Sequence, residues 1–286
     1  MSPRTALVLG GGGITGIAWE LGILAGLAEA GIDLTGADRV IGTSAGSVVG
    51  VQITSGTPIS DLYDGQLAAP DAELGGRLSR LALLKMVPPY VLPGDDRTKL
   101  ARVGKLALKA HEPGSIDREG IIRSRIDMED WPARDLRITA VEVETGEFTV
   151  FTRDSGVDLV SAVAASCAVP TVWPPVAIDG RHYIDGGMRS TANVDLAAGA
   201  ERVVVLAPLP QALSKKTSIR AQLDQVAPRE WTVITPDPEA LAAFGKNLLD
   251  PAKRADAARA GRRQSADLVD EVRHVWNNSA SSPASP

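Results

Sequence analysis

Ser44 lies in Gly42-Thr43-Ser44-Ala45-Gly46, a G-x-S-x-G pattern between the apolar pair Val40-Ile41 and a run of small apolar residues that extends to Thr54. At a strand-to-helix turn this spacing makes a nucleophile elbow, because glycines on both sides let the chain bend sharply enough to expose the serine oxygen. A helix starting at that point favours negative charge on that oxygen. The same residues also fit a glycine-rich turn in which Ser44 merely caps the helix. Gly10-Gly11-Gly12-Gly13-Ile14-Thr15-Gly16 follows the apolar stretch Thr5 to Leu9. A glycine loop opening a helix presents free amides to an anion, either a dinucleotide pyrophosphate or a reaction oxyanion. Asp185-Gly186-Gly187, after Tyr183-Ile184, reads as a turn, and its aspartate is a carboxylate available as a base.

Other chemistries fit less well. A Ser-His-Asp triad needs a histidine late in the chain on a loop. The histidines are His111 in a polar stretch, His182 just before the Asp-Gly-Gly turn, and His274 within a helical pattern. Asp33 lies near the distance from the glycine loop expected of a ribose-binding acid, but it precedes the second strand instead of closing it. Cys167 reads as a packed thiol, and Asp179-Gly180 as a hairpin turn. No His/Cys cluster has zinc spacing and no loop has EF-hand spacing, so no metal is expected.

The elements that must hold these residues follow from periodicity. Thr5 to Leu9 and Val40-Ile41 read as buried strands, and Gly16 to Ala30 as a helix stopped by Gly31. Strand, glycine turn, helix, strand, sharp turn and helix in succession imply a parallel sheet with helices on its faces. Leu136 to Val143 and Glu147 to Thr152 read as a hairpin around Glu144-Thr145-Gly146. Val157 to Cys167 reads as a helix, Val203 to Ala207 and Thr232 to Ile234 as strands, and Pro251 to Trp276 as one charged amphipathic helix. Gly75 to Ala110 interleaves Leu78, Leu81, Leu83, Leu84, Met86 and Val87 with Arg77, Arg80 and Lys85. Prolines break it, and Lys99, Arg102, Lys105 and Lys109 follow. This is a basic, broken amphipathic region: a packed helix with a solvated charged face, or a cap that touches anionic lipid.

The 286 residues suffice for a large core, and 44% hydrophobic with 23% charged residues is the balance of a globular protein. A net charge of -5 argues against nucleic acid as partner. A single cysteine forbids an intrachain disulfide and fits a reducing compartment. The N-terminal apolar stretch is interrupted by four glycines and Glu20, which argues against a signal peptide, and no stretch is long and apolar enough to span a bilayer. The expectation is a cytoplasmic protein that meets a membrane, if at all, transiently and from outside.

Taken together, the three signatures in this order resemble those of the patatin-like phospholipases. Ala165-Ser166-Cys167-Ala168-Val169-Pro170 with Trp173-Pro174-Pro175-Val176, and the Glu144-Thr145-Gly146-Glu147 hairpin, resemble that family's supporting segments. The resemblance implies a three-layer α/β/α fold with a mostly parallel central sheet. It covers roughly Thr5 to Pro208 and implies a catalytic domain over 5–208, with the broken basic region at 75–112 as a helical cap or insertion; beyond it, periodicity predicts a C-terminal strand and helices at 209–276 packing on the same domain, and the Ser, Ala and Pro content of 277–286 predicts a disordered tail. It also implies a lipid acyl hydrolase without cofactor. Ser44 would be the nucleophile, Asp185 its base, and the amides of Gly11, Gly12 and Gly13 the oxyanion hole. Gly16, Gly42, Gly46, Gly186 and Gly187 would support the turns. The substrate partner would be a lipid or fatty-acyl ester. Many members carry a basic residue where this chain has Thr15, which leaves a neutral ester, thioester or lysolipid as plausible as a phospholipid.

Overall fold

The computed structural model describes residues 3–68, 76, 87–111, 116–212 and 214–277. Its centre is an eight-stranded sheet. Strand β1 (Thr5–Leu9) pairs in parallel with β2 (Arg39–Gly42) on one side and β7 (Arg202–Leu206) on the other, and β7 pairs in parallel with β8 (Glu230–Ile234). β2 pairs in parallel with the first half of β3 (Asp135–Glu142). The far end of β3 takes two antiparallel partners, β4 (Phe148–Phe151) and β6 (Arg181–Asp185), and β6 pairs with β5 (Val176–Ile178). β1 is buried on both faces, so it reads as a continuous apolar run without alternation.

Helices cover the faces. α1 (Gly13–Glu29) and α2 (Ala45–Thr54) follow β1 and β2, and α3 (Ile59–Leu67) packs on α1. α4 (Asp96–Ala110) buries Leu100, Val103 and Ala107 against Val141, Val143 and Ile184. α5 (Arg118–Arg123) and α6 (Leu159–Ser166) pack together beside β3. α7 (Ile219–Val226) and α8 (Pro238–Phe244) flank β8 in sequence, and α9 (Arg254–Ser265) and α10 (Val269–Asn277) close the described chain.

The expected elements are present with shifted ends. α1 starts at Gly13 instead of Gly16. The C-terminal segment is two helices, not one, separated by a tight turn at Ala266–Leu268. The break redirects the chain: α9 lies along α1, whereas α10 lies on β7 and β8. The hairpin of Asp179-Gly180 takes positive φ at both residues, 49° and 76°, as a tight turn between β5 and β6 requires. Leu78, Leu81, Leu83, Leu84, Met86, Arg77, Arg80 and Lys85 of the expected cap lie outside the described residues, as do 278–286 of the expected tail, whose first residue, Asn277, instead ends α10. Among the described residues no helix is long and apolar enough to cross a membrane.

Candidate active site

The register of β1 against β2 sets Leu9 opposite Gly42, so the glycine loop and the serine turn leave the sheet side by side at the carboxyl ends of parallel strands. In open α/β sheets, ligands bind at this edge. Two bonds tie the turns together: Thr43 N–H donates to Leu9 O at 3.0 Å, and Gly46 N–H donates to Gly10 O at 3.0 Å. A Cβ on Gly46 would lie 2.1 Å from Leu9 O, and one on Gly42 would lie 2.6 Å from Gly46 O. No side chain fits at either position.

Ser44 has φ 53° and ψ -118°, a strained conformation for a residue with a Cβ, costing about 1–3 kcal/mol. The neighbourhood holds it there. Ser44 N–H donates to Ser166 Oγ at 2.9 Å, and Ser44 O accepts from Ser47 Oγ at 2.6 Å and from Cys167 Sγ at 3.3 Å. A side chain that only capped α2 would bond the helix amides, and Ser44 makes no such bond. Its hydroxyl lies close enough to the Asp185 carboxyl to lower that group's pKa.

Asp185 ends β6 opposite Ala140, and its own amide donates to Ala168 O at 3.1 Å. The carboxyl is buried, with Oδ1 accepting from Gly187 N–H at 2.7 Å. Burial pushes its pKa from 3.8 up to about 6, against the opposing pull of the Ser44 hydroxyl, the Gly187 amide and the Arg118 charge. Below the pair, a buried network fixes both turns. Asn193 Nδ2 donates to Thr43 Oγ1 at 3.0 Å and to Ser190 O at 2.9 Å, and Thr139 Oγ1 donates to Thr43 Oγ1 at 3.0 Å. Gly186 packs directly on Thr139: a Cβ there would lie 2.3 Å from its Oγ1.

The glycine loop departs from expectation at one residue. Gly11 N–H donates to Thr191 O at 2.8 Å, so that amide is already committed. Among the described residues the amides of Gly12 and Gly13, at the start of α1, have no recorded acceptor. Gly12 has no room for a side chain, since a Cβ would lie 2.5 Å from Pro208 Cβ. Gly13 has φ 63°, which suits glycine. Gly16 packs at ordinary distance on Pro208 and Ala45. Thr15, where a basic residue was conceivable, is buried, and its amide donates to Leu248 O at 3.1 Å.

The model of the patatin-like phospholipase family matches residues 7–198. The chain belongs to that family. Curated relatives are uncharacterised NTE family proteins of Mycobacterium bovis and Mycobacterium tuberculosis, each 28% identical over 208 residues, which is 72% of this chain and 49% of the relative. The aligned part thus spans about half the length of those relatives. Among solved structures, VipD from Legionella pneumophila aligns with a TM-score of 0.46 and 16% identity, covering 95% of this chain and 67% of that one. The type III effector ExoU aligns with a TM-score of 0.40 and 17% identity, covering 95% and 53%.

The histidines of this patatin-like chain have partners other than the serine. His111 Nε2 contacts Thr171 O at 3.3 Å, His182 Nδ1 contacts Glu144 Oε1 at 2.6 Å, and His274 is exposed with Glu230 at 3.9 Å. Asp33 accepts from the amide and hydroxyl of Thr35 in a surface turn. Cys167 is buried beside the site, and burial pushes its thiol up to about 11, so it stays protonated.

Two residues near the site escaped sequence reasoning. Arg118 is buried, with its guanidinium 4.2 Å above the Trp173 ring and Nη2 donating to Cys167 O at 3.2 Å. Its Nε and Nη1 have no hydrogen-bond partner, and burial lowers its pKa to about 10. Tyr90 donates its hydroxyl to Met188 O at 2.9 Å, and burial together with the Asp185 charge pushes its pKa up. Neither residue falls in a recognisable pattern, so the sequence offered no signal for them.

Proposed function

We propose that the chain is a lipid acyl hydrolase of the phospholipase A, lysophospholipase or esterase type, cleaving carboxylic esters through a Ser44–Asp185 dyad. One observation supports the reading above the others: a buried serine held in a strained backbone conformation beside a buried carboxyl, whose desolvation raises its pKa to about 6. Family membership supports it independently.

The chemistry follows from the geometry. Ser44 Oγ attacks the ester carbonyl carbon while the Asp185 carboxylate takes its proton. At the raised pKa, Asp185 is ionised at neutral pH yet more basic than an ordinary aspartate, which suits a general base working without imidazole. The oxyanion forms beside the amides of Gly12 and Gly13 and the positive end of α1. Collapse of the intermediate breaks the bond to the alcohol, which receives the proton from Asp185. Water then repeats the sequence on the acyl-enzyme and releases the fatty acid.

Ser44→Ala and Asp185→Asn variants, assayed on a fatty-acyl ester and with a fluorophosphonate label, test this. Both should lose about a thousandfold or more in kcat. The wild type should be labelled at Ser44. An Asp185→Asn variant that keeps most of its turnover would overturn the dyad.

A further inference from the structure

Among the described residues, five large apolar side chains are exposed, and three of them, Val87, Val91 and Leu92 at 50%, 73% and 49%, fall within six residues. Trp231 and Leu241 are isolated elsewhere. Single exposed apolar residues are ordinary, whereas a cluster marks a contact surface. The segment is held in this presentation. Tyr90 is partly buried against the apolar cluster that contains Leu100, Val103 and Ile184, and its hydroxyl donates to Met188 O at 2.9 Å. From the other side Arg102 donates to Leu92 O at 3.3 Å and Pro93 O at 2.7 Å. Two anchors therefore keep Val91 and Leu92 facing water.

The charge around this tip says what would cover it. The chain carries a net charge of -5, yet α4, which begins four residues after Leu92, holds five cations, Arg97, Lys99, Arg102, Lys105 and Lys109, against Asp96 alone. Asp95 is committed to capping the helix through the Thr98 amide, and Glu147 pairs with Arg97 at 3.0 Å. Beside the tip lies a cleft of about 400 Å³ whose lining includes Tyr90, Asp96, Arg97, Lys99, Met188 and Lys216, with Arg189 also present but paired to Asp195 at 2.7 Å. Apolar side chains that project beyond a ring of lysine and arginine match the cross-section of an anionic bilayer, with acyl chains below and phosphates above. The cleft reaches Met188, three residues past Asp185.

We propose that residues 87–92, together with the cationic face of α4, form a docking surface for an anionic phospholipid bilayer. The Tyr90–Met188 bond ties that surface to the turn that follows Asp185. The inference takes its biological sense from the lipid-hydrolase reading, but its test does not depend on hydrolysis.

The test is flotation of the full chain carrying Ser44→Ala with vesicles of phosphatidylcholine alone or mixed with phosphatidylglycerol. The protein should float with the mixed vesicles and be released by high salt. Val91→Asp with Leu92→Asp should lower partitioning at least tenfold. Lys99→Gln and Lys105→Gln should each lower it about fivefold, and they keep the test decisive if the tip variant fails to fold. In the protein with Ser44 intact, the tip variant should lower turnover on a vesicle-borne ester relative to a soluble one. Equal flotation of parent and lysine variants would overturn the proposal. So would absence from both vesicles with a dimer that Val91→Asp/Leu92→Asp dissociates, which would make a second copy the occupant. Loss of hydrolysis on soluble ester in the wild type, with flotation intact, would refute the enzymatic reading and leave the docking surface standing.

Discussion

At the scale of single residues, Asp185 is set by opposing influences. Desolvation raises its pKa, and the Ser44 hydroxyl, the Gly187 amide and Arg118 partly offset that rise to leave it at about 6. A base must be ionised to work, so kcat/KM should fall as pH drops through about 6. Arg118 favours the carboxylate, so Arg118→Met should move that midpoint to higher pH, whereas a purely structural arginine would scale the whole profile. A pH–rate profile for both proteins decides it; a midpoint unmoved by the substitution counts against the electrostatic role. The turns that carry Ser44 and Asp185, the members of the proposed dyad, were legible because they demand glycines at fixed offsets, and glycine patterns are visible in a sequence. Arg118 was not, because its significance arises from contacts with Trp173 and Cys167 that lie about 50 residues away along the chain.

Among elements, the glycine loop is where expectation and structure separate. The sequence offered three equivalent amides, and the fold spends one of them, Gly11, on Thr191 O. Periodicity cannot see this, because Thr191 reaches the loop from the segment after β6. The difference predicts unequal tolerance. A Cβ on Gly11 would meet Ser44 Cβ at 3.6 Å and Thr191 O at 3.7 Å, both ordinary contacts, while one on Gly12 would sit 2.5 Å from Pro208 Cβ and 2.8 Å from Gly16 Cα. Gly11→Ala should keep its melting temperature and lose less than about tenfold in kcat/KM. Gly12→Ala must displace the loop and should lose about a hundredfold or more, the cost of one oxyanion donor. Equal losses would mean that the two amides play the same part. The paired C-terminal helices were misread as one for a similar reason. α9 approaches α1 so closely that a Cβ on Gly22 would lie 2.2 Å from Ala258 O, and one on Gly261 would lie 2.4 Å from Trp19 O. The strands and most helix starts were readable from local pattern, but this close contact between distant small residues, and the turn that ends it, follow from tertiary packing.

For the whole molecule, acids with shifted pKa values govern how stability follows pH. Asp38, Asp135 and Asp237 have pKa values below 3.8, held there by Thr5 and Arg4, by Arg137 and Arg39, and by Arg263 and the Ala240 amide, each against the cost of burial. Their contribution is present above the ordinary carboxylate range and is lost only in stronger acid. Asp185 and Glu20 act in the opposite sense. Glu20 lies fully buried in α1, no hydrogen-bond partner reaches its carboxyl oxygens, and burial raises its pKa well above 4.5, the nearby Gly10 amide offsetting only part. An acid whose pKa is higher folded than unfolded favours the fold below its unfolded pKa, and that advantage disappears as pH rises through the folded value. For Asp185 the window runs from about 4 to about 6, and the ionised carboxylate then costs about 3 kcal/mol at pH 8. Between pH 5 and 8 the raised acids, not the lowered ones, should set the trend, so wild-type stability should decline across that range. Glu20→Gln and Asp185→Asn should each gain more stability at pH 8 than at pH 5, the second while losing activity if the proposed dyad operates, because the same buried carboxylate proposed as base strains the fold when charged. Urea denaturation at the two pH values measures this. A wild type more stable at pH 8, with neither substitution altering the difference, would show that both carboxyls are better solvated than their surroundings imply.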